Sequence, residues 1–498
     1  MKSVRMTNLR NLFGVGVLNR WQRALAVVLV CAATTTTVPA QVVVTFKNLA
    51  NFDLTNGEEP NGLAQGVDGN FYGTTDLGGA NSCNCGVIFK ITPGGNLSAL
   101  HSFTGAGEGA DGGYPGAGLT LGPDGNFYGT TSSGGPNEGG TVFQFNPSTK
   151  AVTVLWSFPN ANGDGEYPEG ALALGSDGTF YGTTSGGGKY GSGMVFKITP
   201  IGALTALYSF CKKGYPCTSD GMEPETSLMQ LLGGPFYGTT NSGGEHMSGT
   251  LFAINPTTKA LVKLYDFESA PSSGLVQGSK GELYGTSGYG GAYGYGSIYE
   301  IGYLGGTPTT IYSFCQQQPC TDGENPTGQL LIGTDGNLYG TTYSGGTGDG
   351  AIYLINPTGI GFTPLHNFAG TDGLNPASGM IEATSGILYG TTTGGGTSTA
   401  CSGQPCGTVF SLTSNALHRF IETVPIAGPV GPSPVIILGN GLTGATSVTF
   451  NGTAATFSVT SPTEITATVP SGATTGRVKV VTSAGKTLTS NVAFVVTQ

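Results

Sequence analysis

Short apolar runs alternate with glycine-rich turns along most of this chain, and one block of eight residues occurs in seven similar copies. The block reads "DGNFYGTT" at Asp68 and again at Asp124. Its tyrosines lie 47 to 56 residues apart, at Tyr72, Tyr128, Tyr181, Tyr237, Tyr284, Tyr339 and Tyr389. A period near 50 that contains several short strands is typical of β-propellers and solenoids.

The second copy shows what one repeat contains. Four apolar runs follow one another in residues 118–122, 126–131, 140–145 and 151–158, separated by two short turns and two longer loops. Asp124-Gly125 between two of these runs predicts a hairpin with a type I′ turn. Four antiparallel strands per repeat describe a propeller blade, so the pattern predicts an all-β seven-bladed β-propeller over residues 41–414.

Phe127 and Tyr128 are neighbours in a predicted strand and therefore point to opposite faces of the sheet. Both can be buried if each blade packs against a blade on either side. The glycine that follows them weakens a strand. We expect Gly182 and its equivalents to sit where the neighbouring blade approaches closely.

Ring closure can be predicted from the strand count. Each of the first six repeats ends with a strand such as "LWSF", whereas the seventh is followed almost at once by a different sequence. We expect residues 42–52, "VVVTFKNLANF", to supply the missing outer strand of the last blade. The alternative is "ALHRF", residues 416–420.

The N-terminus and the charge balance indicate an exported protein. Residues 1–40 carry five cations and no acid, then an apolar run too short to span a bilayer, then "VPA" before Gln41, which is the layout of a signal peptide. The remaining chain has 14 basic and 29 acidic residues, a net charge of −15. This balance argues against nucleic acid and anionic membranes as partners, and we expect a monomer without a membrane span.

Glycine provides 88 of the 498 residues, well above the share of about 7% in ordinary globular chains. Charged residues provide only 10%, against about 25% in such chains. Eight cysteines follow the predicted signal peptide, in four close pairs. Close pairs in an exported chain favour disulfides over a metal site. The predicted bridges, of which the first would span a single residue, are Cys83 with Cys85, Cys211 with Cys217, Cys315 with Cys320, and Cys401 with Cys406.

The repeated pattern "YGTT..GG....G.VF" resembles the GloVer tandem-repeat family of exported bacterial proteins, over about residues 41–414. That resemblance implies no activity. Residues 415–498 differ, with runs such as "SVTFNG" at 447–452 and "EITATVP" at 464–470. They resemble the IPT/TIG domain, which implies an immunoglobulin-like β-sandwich, and β-branched strands between Asn-Gly and Ser-Gly turns favour the same fold.

The two longer loops of each repeat should share one rim, and that rim carries the candidate binding residues. Asp-Gly-x-x-Pro loops place a carboxylate at Asp111, Asp164, Asp220, Asp322 and Asp372. These aspartates could bind Ca²⁺ with Glu166, Glu223 and Glu324, or serve only as turn residues that accept local hydrogen bonds. No other cofactor is indicated.

Tyrosines are the second candidate set on this rim. They offer flat faces for sugar rings or peptides, or simply cover the loops. The set comprises Tyr167, Tyr190, Tyr289, Tyr293 and Tyr295, with Tyr114, Tyr215 and Tyr343 beside them. Because the loops are equivalent and no catalytic set of residues stands out, the sequence predicts a non-catalytic extracellular, cell-surface or periplasmic module that binds a glycan or a surface protein. The alternative is a glycan-active lyase or hydrolase on the same scaffold, for which charged residues should cluster in one or two blades.

Overall fold

The computed structural model describes residues 42–159, 163–231, 233–316, 318–401 and 403–497, and these residues form strands, turns and loops without helix. The predicted signal peptide lies outside the described residues. Contacts divide the chain into residues 1–43 and residues 44–498. The fold described here is that of the second unit.

Thirty strands cover the repeats in the described residues. In chain order they are β1 (Val44–Asn51), β2 (Glu58–Gln65), β3 (Phe71–Leu77), β4 (Val87–Ile91), β5 (Leu97–Ser102), β6 (Thr120–Leu121), β7 (Phe127–Thr131), β8 (Glu138–Phe145), β9 (Val152–Pro159), β10 (Gly165–Glu166), β11 (Ala173–Leu174), β12 (Phe180–Thr184), β13 (Gly186–Gly187), β14 (Met194–Ile198), β15 (Leu204–Ser209), β16 (Met229–Gln230), β17 (Phe236–Thr239), β18 (Thr250–Ile254), β19 (Leu261–Asp266), β20 (Val276–Gln277), β21 (Leu283–Ser287), β22 (Ser297–Ile301), β23 (Thr309–Ser313), β24 (Leu331–Ile332), β25 (Leu338–Thr342), β26 (Ala351–Ile355), β27 (Thr363–Asn367), β28 (Ile381–Glu382), β29 (Ile387–Thr392) and β30 (Thr408–Ser414).

These strands form seven four-stranded antiparallel sheets, numbered here 1 to 7 along the chain. Sheet 1 is β2–β5, sheet 2 is β6–β9, sheet 4 is β16–β19, sheet 5 is β20–β23 and sheet 6 is β24–β27. Sheet 3 is β11, β12, β14 and β15, while β10 and β13 pair separately. Sheet 7 joins β28–β30 to β1, with Val44 opposite Ser414. The predicted pairing of the N-terminal strand with the last repeat is confirmed, and residues 416–420 form no strand in the part described.

The Asp-Gly turns differ from the predicted type I′ geometry. Gly125 has a φ of 76°, but Asp124 is not among the residues with positive φ. The Gly125 N–H donates to the Gly122 carbonyl at 3.1 Å. The connection is therefore a type I turn followed by one left-handed glycine, the geometry of a three-residue hairpin loop with a bulge.

The predicted burial of both aromatics of the block is confirmed. Phe127 and Tyr128 are 0% exposed, and each stacks on a different neighbouring sheet. Tyr128 faces Phe180 of sheet 3 with ring centroids 4.0 Å apart, and Phe127 faces Tyr72 of sheet 1 at 4.5 Å. The tyrosine of one sheet thus packs on the following sheet.

The first threonine of the block continues this link between sheets. Thr74 of sheet 1 donates to the Ala117 carbonyl ahead of sheet 2 at 2.7 Å. Thr391 of sheet 7 donates to the Asn61 carbonyl of sheet 1 at 3.0 Å, and Tyr389 stacks on Phe71 at 4.0 Å. The contacts of the last sheet with the first therefore close a ring.

The prediction that the neighbouring blade approaches the glycine of the block was wrong, because the close contact comes from the same sheet. A Cβ added at Gly182 would lie 2.6 Å from Phe196 Cζ and 2.9 Å from Leu172 Cδ2. Phe196 is the cross-strand partner of Gly182 within sheet 3, so the ring lies over the glycine of its own sheet instead of a ring from the next. An aromatic side chain that covers a strand glycine compensates for its missing side chain.

Residues after 414 form separate sheets. Their strands are β31 (Glu422–Val424), β32 (Ala427–Pro429), β33 (Gly431–Leu438), β34 (Ser447–Phe450), β35 (Thr453–Ala454), β36 (Phe457–Ser461), β37 (Glu464–Val469), β38 (Gly476–Val481) and β39 (Thr487–Thr497). A four-stranded sheet, β31-β33-β37-β36, and a five-stranded sheet, β32-β39-β38-β34-β35, enclose an apolar core that includes Ile437, Val448 and Phe494. We call these residues the C-terminal domain.

The C-terminal domain packs against the short-turn end of the ring. Thr463 Oγ1 donates to the Val67 carbonyl at 2.7 Å, and Asn440 Nδ2 donates to Thr384 Oγ1 at 2.7 Å. Val424 and Leu438 belong to the same buried cluster as Leu119 of the second repeat. This contact was not predicted from the sequence, in which the two parts are consecutive modules.

Candidate functional site

The longer loops meet at the end of the ring opposite the C-terminal domain, and their backbones join neighbouring repeats. The Tyr114 N–H donates to the Cys85 carbonyl at 2.9 Å, and the Tyr167 N–H donates to the Gly139 carbonyl at 3.1 Å. We call this end the long-loop rim.

All four predicted cysteine pairs are bonded, including the pair that spans one residue. The bridges are Cys83–Cys85, Cys211–Cys217, Cys315–Cys320 and Cys401–Cys406. Within the described ranges, one group has the spacing of a metal site, formed by Cys315, Cys320 and Glu324. Its sulfurs are bonded to each other and therefore offer no thiolate to a metal.

Four of the five loop aspartates accept hydrogen bonds within their own repeat. Asp220 accepts from Tyr208 Oη at 2.7 Å and from the Lys212 N–H at 3.1 Å. Asp322 accepts from Tyr312 in the same way. In the first and sixth repeats the partner is a histidine, in the pairs His101–Asp111 at 2.6 Å and His366–Asp372 at 2.9 Å. These bonds fasten each loop to the outer strand of its sheet, and calcium binding by the aspartates stays a prediction.

The second repeat departs from this arrangement. Its outer strand carries Trp156, whose Nε1 is buried and has no hydrogen-bond partner in the structure. Asp164 lies with Trp156 in the wall of the same surface pocket. The equivalent hydrogen bond is therefore not made here.

Tyrosines divide into two classes by burial. The seven tyrosines of the repeated block are at most 3% exposed, whereas the eight predicted on the long loops are 36 to 80% exposed. Tyr289 and Tyr293 project furthest in the loop between β21 and β22, at 70% and 51%. These rings are available to a ligand, and their backbone positions are fixed by the loop.

The structure brings some of these tyrosines together. The Tyr295 carbonyl accepts from the Asn325 N–H, and the Tyr343 N–H donates to the Asn325 carbonyl, both at 2.9 Å. Tyr167 lies apart from that pair, in a pocket of about 290 Å³ that it shares with Glu223 and Glu225. Tyr190 carries Lys189 over its ring at 5.3 Å. The set is therefore distributed around the rim.

In six of the seven repeats the residue before the loop proline has an unusual backbone conformation. Tyr114 and Tyr167 both have a φ of 57°, in the left-handed region that non-glycine residues rarely adopt and that a following proline disfavours. The same conformation recurs at Glu59, Glu223, Asn325 and Asn375. Strained backbone of this kind persists only where the surroundings hold it, and here both backbone groups of Tyr167 are bonded, to Gly139 and Ser185.

A cavity of about 460 Å³ opens along the axis inside this rim, and all seven repeats line it. Its walls are mostly residues that lead into the inner strands, and these are mostly glycine, serine, threonine and alanine. We call it the rim cavity. Two carboxylates line it, Glu169 of the third repeat and Glu225 of the fourth.

These two carboxylates belong to an acidic group at one side of the opening. Burial, and then the charges of Asp76 and Glu223, raise the pKa of Glu169. Burial, followed by Glu169 and Glu223, raises the pKa of Glu225 to about 7. The ion pairs in the described part of the chain join Lys90 to Asp68, Lys263 to Asp266, and the two histidines to their aspartates, so none neutralises this group. The carboxyl of Glu225 can therefore accept or release a proton near neutral pH.

Sequence reasoning missed Glu169 and Glu225. Both directly follow a loop proline, at a position where the other five repeats carry Asn61, Gly116, Ser272, Thr327 and Ala377. A comparison of the seven copies at this one position would have found them. They form the asymmetric cluster of charged residues, confined to two repeats, that the sequence analysis associates with an enzyme.

None of the described residues forms a helix long and apolar enough to cross a membrane. No curated protein matches the chain. Among solved structures, a fungal alcohol oxidase of the AA5 family in complex with copper is 13% identical, with 91% of this chain and 99% of that chain covered and a TM-score of 0.48. The PQQ-bound aldose sugar dehydrogenase of Streptomyces coelicolor is 14% identical, with 76% and 99% covered and a TM-score of 0.39. Similarities at this level establish no activity for the chain.

The repeats themselves give the clearest match. The Gloeobacter/Verrucomicrobia repeat family matches residues 35–219, 213–320 and 268–459. These segments cover all seven copies of the tyrosine block. The chain therefore belongs to the Gloeobacter/Verrucomicrobia repeat family.

Proposed function

We propose that this chain is an exported seven-bladed β-propeller, residues 41–414, that carries an immunoglobulin-like domain of the IPT/TIG type, residues 415–498. The seven sheets, each with one tyrosine block, support the ring, and the two-sheet C-terminal domain supports the sandwich. Four disulfides fit an extracellular, cell-surface or periplasmic location. The protein works as a monomer.

Its function in this proposal is to bind carbohydrate at the long-loop rim. The observation that carries it is the division of tyrosines into buried ones in the strands and exposed ones on the loops. Exposed rings on defined loops supply stacking faces for sugars with little loss of side-chain entropy. The hydroxyls and amides around the rim cavity, such as Ser272 and Gln329, supply polar partners. A surface protein is the alternative partner.

A glycan and polysaccharide array probed with the purified protein tests this proposal, with and without a calcium chelator. We expect retention on at least one glycan class. Retention that a chelator abolishes would assign calcium to Asp111, Asp164, Asp220, Asp322 and Asp372, and retention unaffected by chelator would leave those aspartates as turn residues. No retention on any glycan would reject carbohydrate binding.

The tyrosines can be tested with a matched control. Replacing Tyr289, Tyr293 and Tyr295 together by Ala should weaken glycan binding by roughly tenfold or more, because each stacked ring contributes about 1 kcal/mol. Tyr303 is 42% exposed but lies in the turn between β22 and β23. Tyr303→Ala should leave binding unchanged. Equal losses in both variants would argue against a loop-specific site.

A second function, glycan cleavage, is favoured by the carboxyl pair in the rim cavity. Paired carboxyls with different pKa values are what general acid and base catalysis on glycosidic bonds requires. Glu225, with a pKa of about 7, would act as the acid, and Glu169 would act as the base. The rim tyrosines would then position the polymer.

Product release from any retained polysaccharide distinguishes the two functions. Cleavage would appear as new reducing ends or unsaturated products, and Glu225→Gln should lower the rate by at least a hundredfold while binding persists. Binding without products would reject cleavage of that polysaccharide.

A further inference from the structure

A second cavity lies on the axis, between the ring and the C-terminal domain. It has a volume of about 380 Å³, in the range of small-molecule sites. Leu63, Leu119 and Ile381 line both this cavity and the rim cavity. The two cavities therefore lie one behind the other, and we call the inner one the capped cavity.

The walls of the capped cavity are predominantly apolar. Leucines at positions 63, 119, 121, 174 and 331 come from the inner strands of the ring, and Val424 and Leu438 come from the C-terminal domain. Such walls favour a ligand with an apolar part, since the burial of apolar surface contributes favourably to the free energy of binding.

Six polar residues interrupt this lining, and three of them, Glu382, Glu422 and Thr423, make no hydrogen bonds with one another. Thr423 is 1% exposed, and its Oγ1 has no hydrogen-bond partner in the structure. Glu422 lines the cavity beside it, and none of the hydrogen bonds in the described residues reaches its carboxyl. Glu382 faces the cavity from sheet 7 and accepts from the N–H and Oγ1 of Thr334 at 2.8 and 2.7 Å. Buried polar groups without partners are costly, so Thr423 and Glu422 call for a ligand that supplies donors.

The charge of the lining narrows the class of ligand. Of the lining residues, Glu382 and Glu422 are the ionisable ones, and both are acids. Burial raises the pKa of both carboxyls because nothing in the lining compensates their charge, and Thr334 bonds only partly offset this at Glu382. A cation would supply the missing compensation.

We propose that the capped cavity binds a small molecule with an apolar ring or chain and one ammonium group. The ammonium would donate to the carboxylate of Glu422 and to Thr423 Oγ1, and the apolar part would pack against Leu119 and Leu174. Charge-assisted hydrogen bonds of this kind are stronger than neutral ones, especially away from water. This site is separate from the proposed carbohydrate site and does not depend on it.

Calorimetric titration with benzylammonium tests the proposal, with benzyl alcohol as the neutral probe of similar size. We expect saturable binding of benzylammonium to the full protein at neutral pH, at least tenfold tighter than that of benzyl alcohol, since a hydrogen bond to a charged group contributes about 1.5–3 kcal/mol. This comparison needs no variant. Absence of saturable binding, or equal affinity for both probes, would overturn the proposal.

Amino-acid substitutions test where benzylammonium binds. Glu422→Gln should weaken benzylammonium binding at least tenfold. Glu464→Gln, in the same C-terminal domain but outside the cavity, should leave the affinity unchanged. Binding that survives Glu422→Gln but is lost in Glu225→Gln would place the ammonium at the rim and also overturn the proposal. A thermal unfolding curve for each variant confirms that it is folded.

Discussion

The ring of Phe46 lies flat on the imidazole of His366, with centroids 3.6 Å apart and an interplanar angle of 2°. Phe46 belongs to β1, the N-terminal strand, whereas His366 belongs to the outer strand of sheet 6. The strand that completes sheet 7 thus also holds the neighbouring sheet. Phe368 and Phe410 contact the same ring edge-on or tilted, at 5.7 Å each.

Phe46→Ala should therefore destabilise the closed ring. Loss of a half-buried aromatic with three ring contacts should cost roughly 2 kcal/mol, and the melting temperature should fall by several degrees. Ile201→Ala, at a side chain that is 90% exposed, is the control and should unfold like the parent. Differential scanning calorimetry measures both, and an unchanged transition for Phe46→Ala would show that β1 contributes little to closure.

Gly182 tests the aromatic cover over the block glycines. Gly182→Ala places a Cβ 2.6 Å from Phe196 Cζ, and overpacking of this kind costs about 1–3 kcal/mol. Gly94→Ala is the matched control, because its Cβ would be 3.7 Å from Thr92 Oγ1, an ordinary contact. We expect Gly182→Ala to unfold at a lower denaturant concentration than the parent protein, and Gly94→Ala to unfold at the same concentration as the parent. Equal stability of both variants would contradict the packing of Phe196 over the glycine.

Removal of the Tyr353 hydroxyl, unlike the two preceding substitutions, is expected to stabilise the protein. It is buried without a hydrogen-bond partner, and five of the six equivalent positions hold phenylalanine, namely Phe89, Phe143, Phe196, Phe252 and Phe410. Tyr353→Phe should stabilise the protein by about 1 kcal/mol, since an unsatisfied buried hydroxyl is removed. Chemical denaturation measures the change.

Tyr128→Phe is the comparison for that variant. Tyr128 Oη donates to Asp124 at 2.9 Å and accepts from Gln144 Nε2 at 2.7 Å. Removing this hydroxyl should cost about 1 kcal/mol. If both phenylalanine variants shifted stability in the same direction, hydrogen bonding would not explain either shift.

Stability should depend on pH through the rim carboxyls. The pKa of Glu225 rises from 4.5 to about 7 on folding, because of burial and then Glu169 and Glu223. Between these values the folded protein binds more protons than the unfolded chain, so the free energy of unfolding falls as pH rises through this window. Melting temperatures at pH 5 and pH 8 measure that fall.

Glu225→Gln should reduce the difference between the two pH values, because glutamine does not titrate. Glu108→Gln, at an exposed loop position, should retain the full difference. A Glu225→Gln profile that is parallel to that of the parent would mean that Glu225 is ionised in the folded protein at pH 5.

The regular parts of the molecule could be predicted from sequence because the repeats restate them seven times. The burial of Phe127 beside Tyr128 follows from strand geometry, and the pairing of residues 44–51 with 408–414 follows from the missing strand. The partner of Gly182 was predicted wrongly because the sequence shows only that no side chain fits at this position. A contact within one sheet and a contact between two sheets both require a glycine there.

Features that occur once were the ones missed. Glu169 and Glu225 stand out only when copies are compared at one position, and their proximity to Glu223 depends on how two repeats meet at the axis. The contact of Thr463 with Val67 joins the C-terminal domain to a turn nearly 400 residues earlier. No periodicity or turn signal encodes such a contact.

The position of the C-terminal domain makes the two ends of the axis unequal. Residues 422–426 line the inner cavity at the end that faces the short turns, whereas the long loops surround the other end. An extended polymer that followed the axis inward from the long-loop rim would therefore meet residues 422–426. A chain end or a branch is the part of a polymer that could approach Glu169 and Glu225 without passing them.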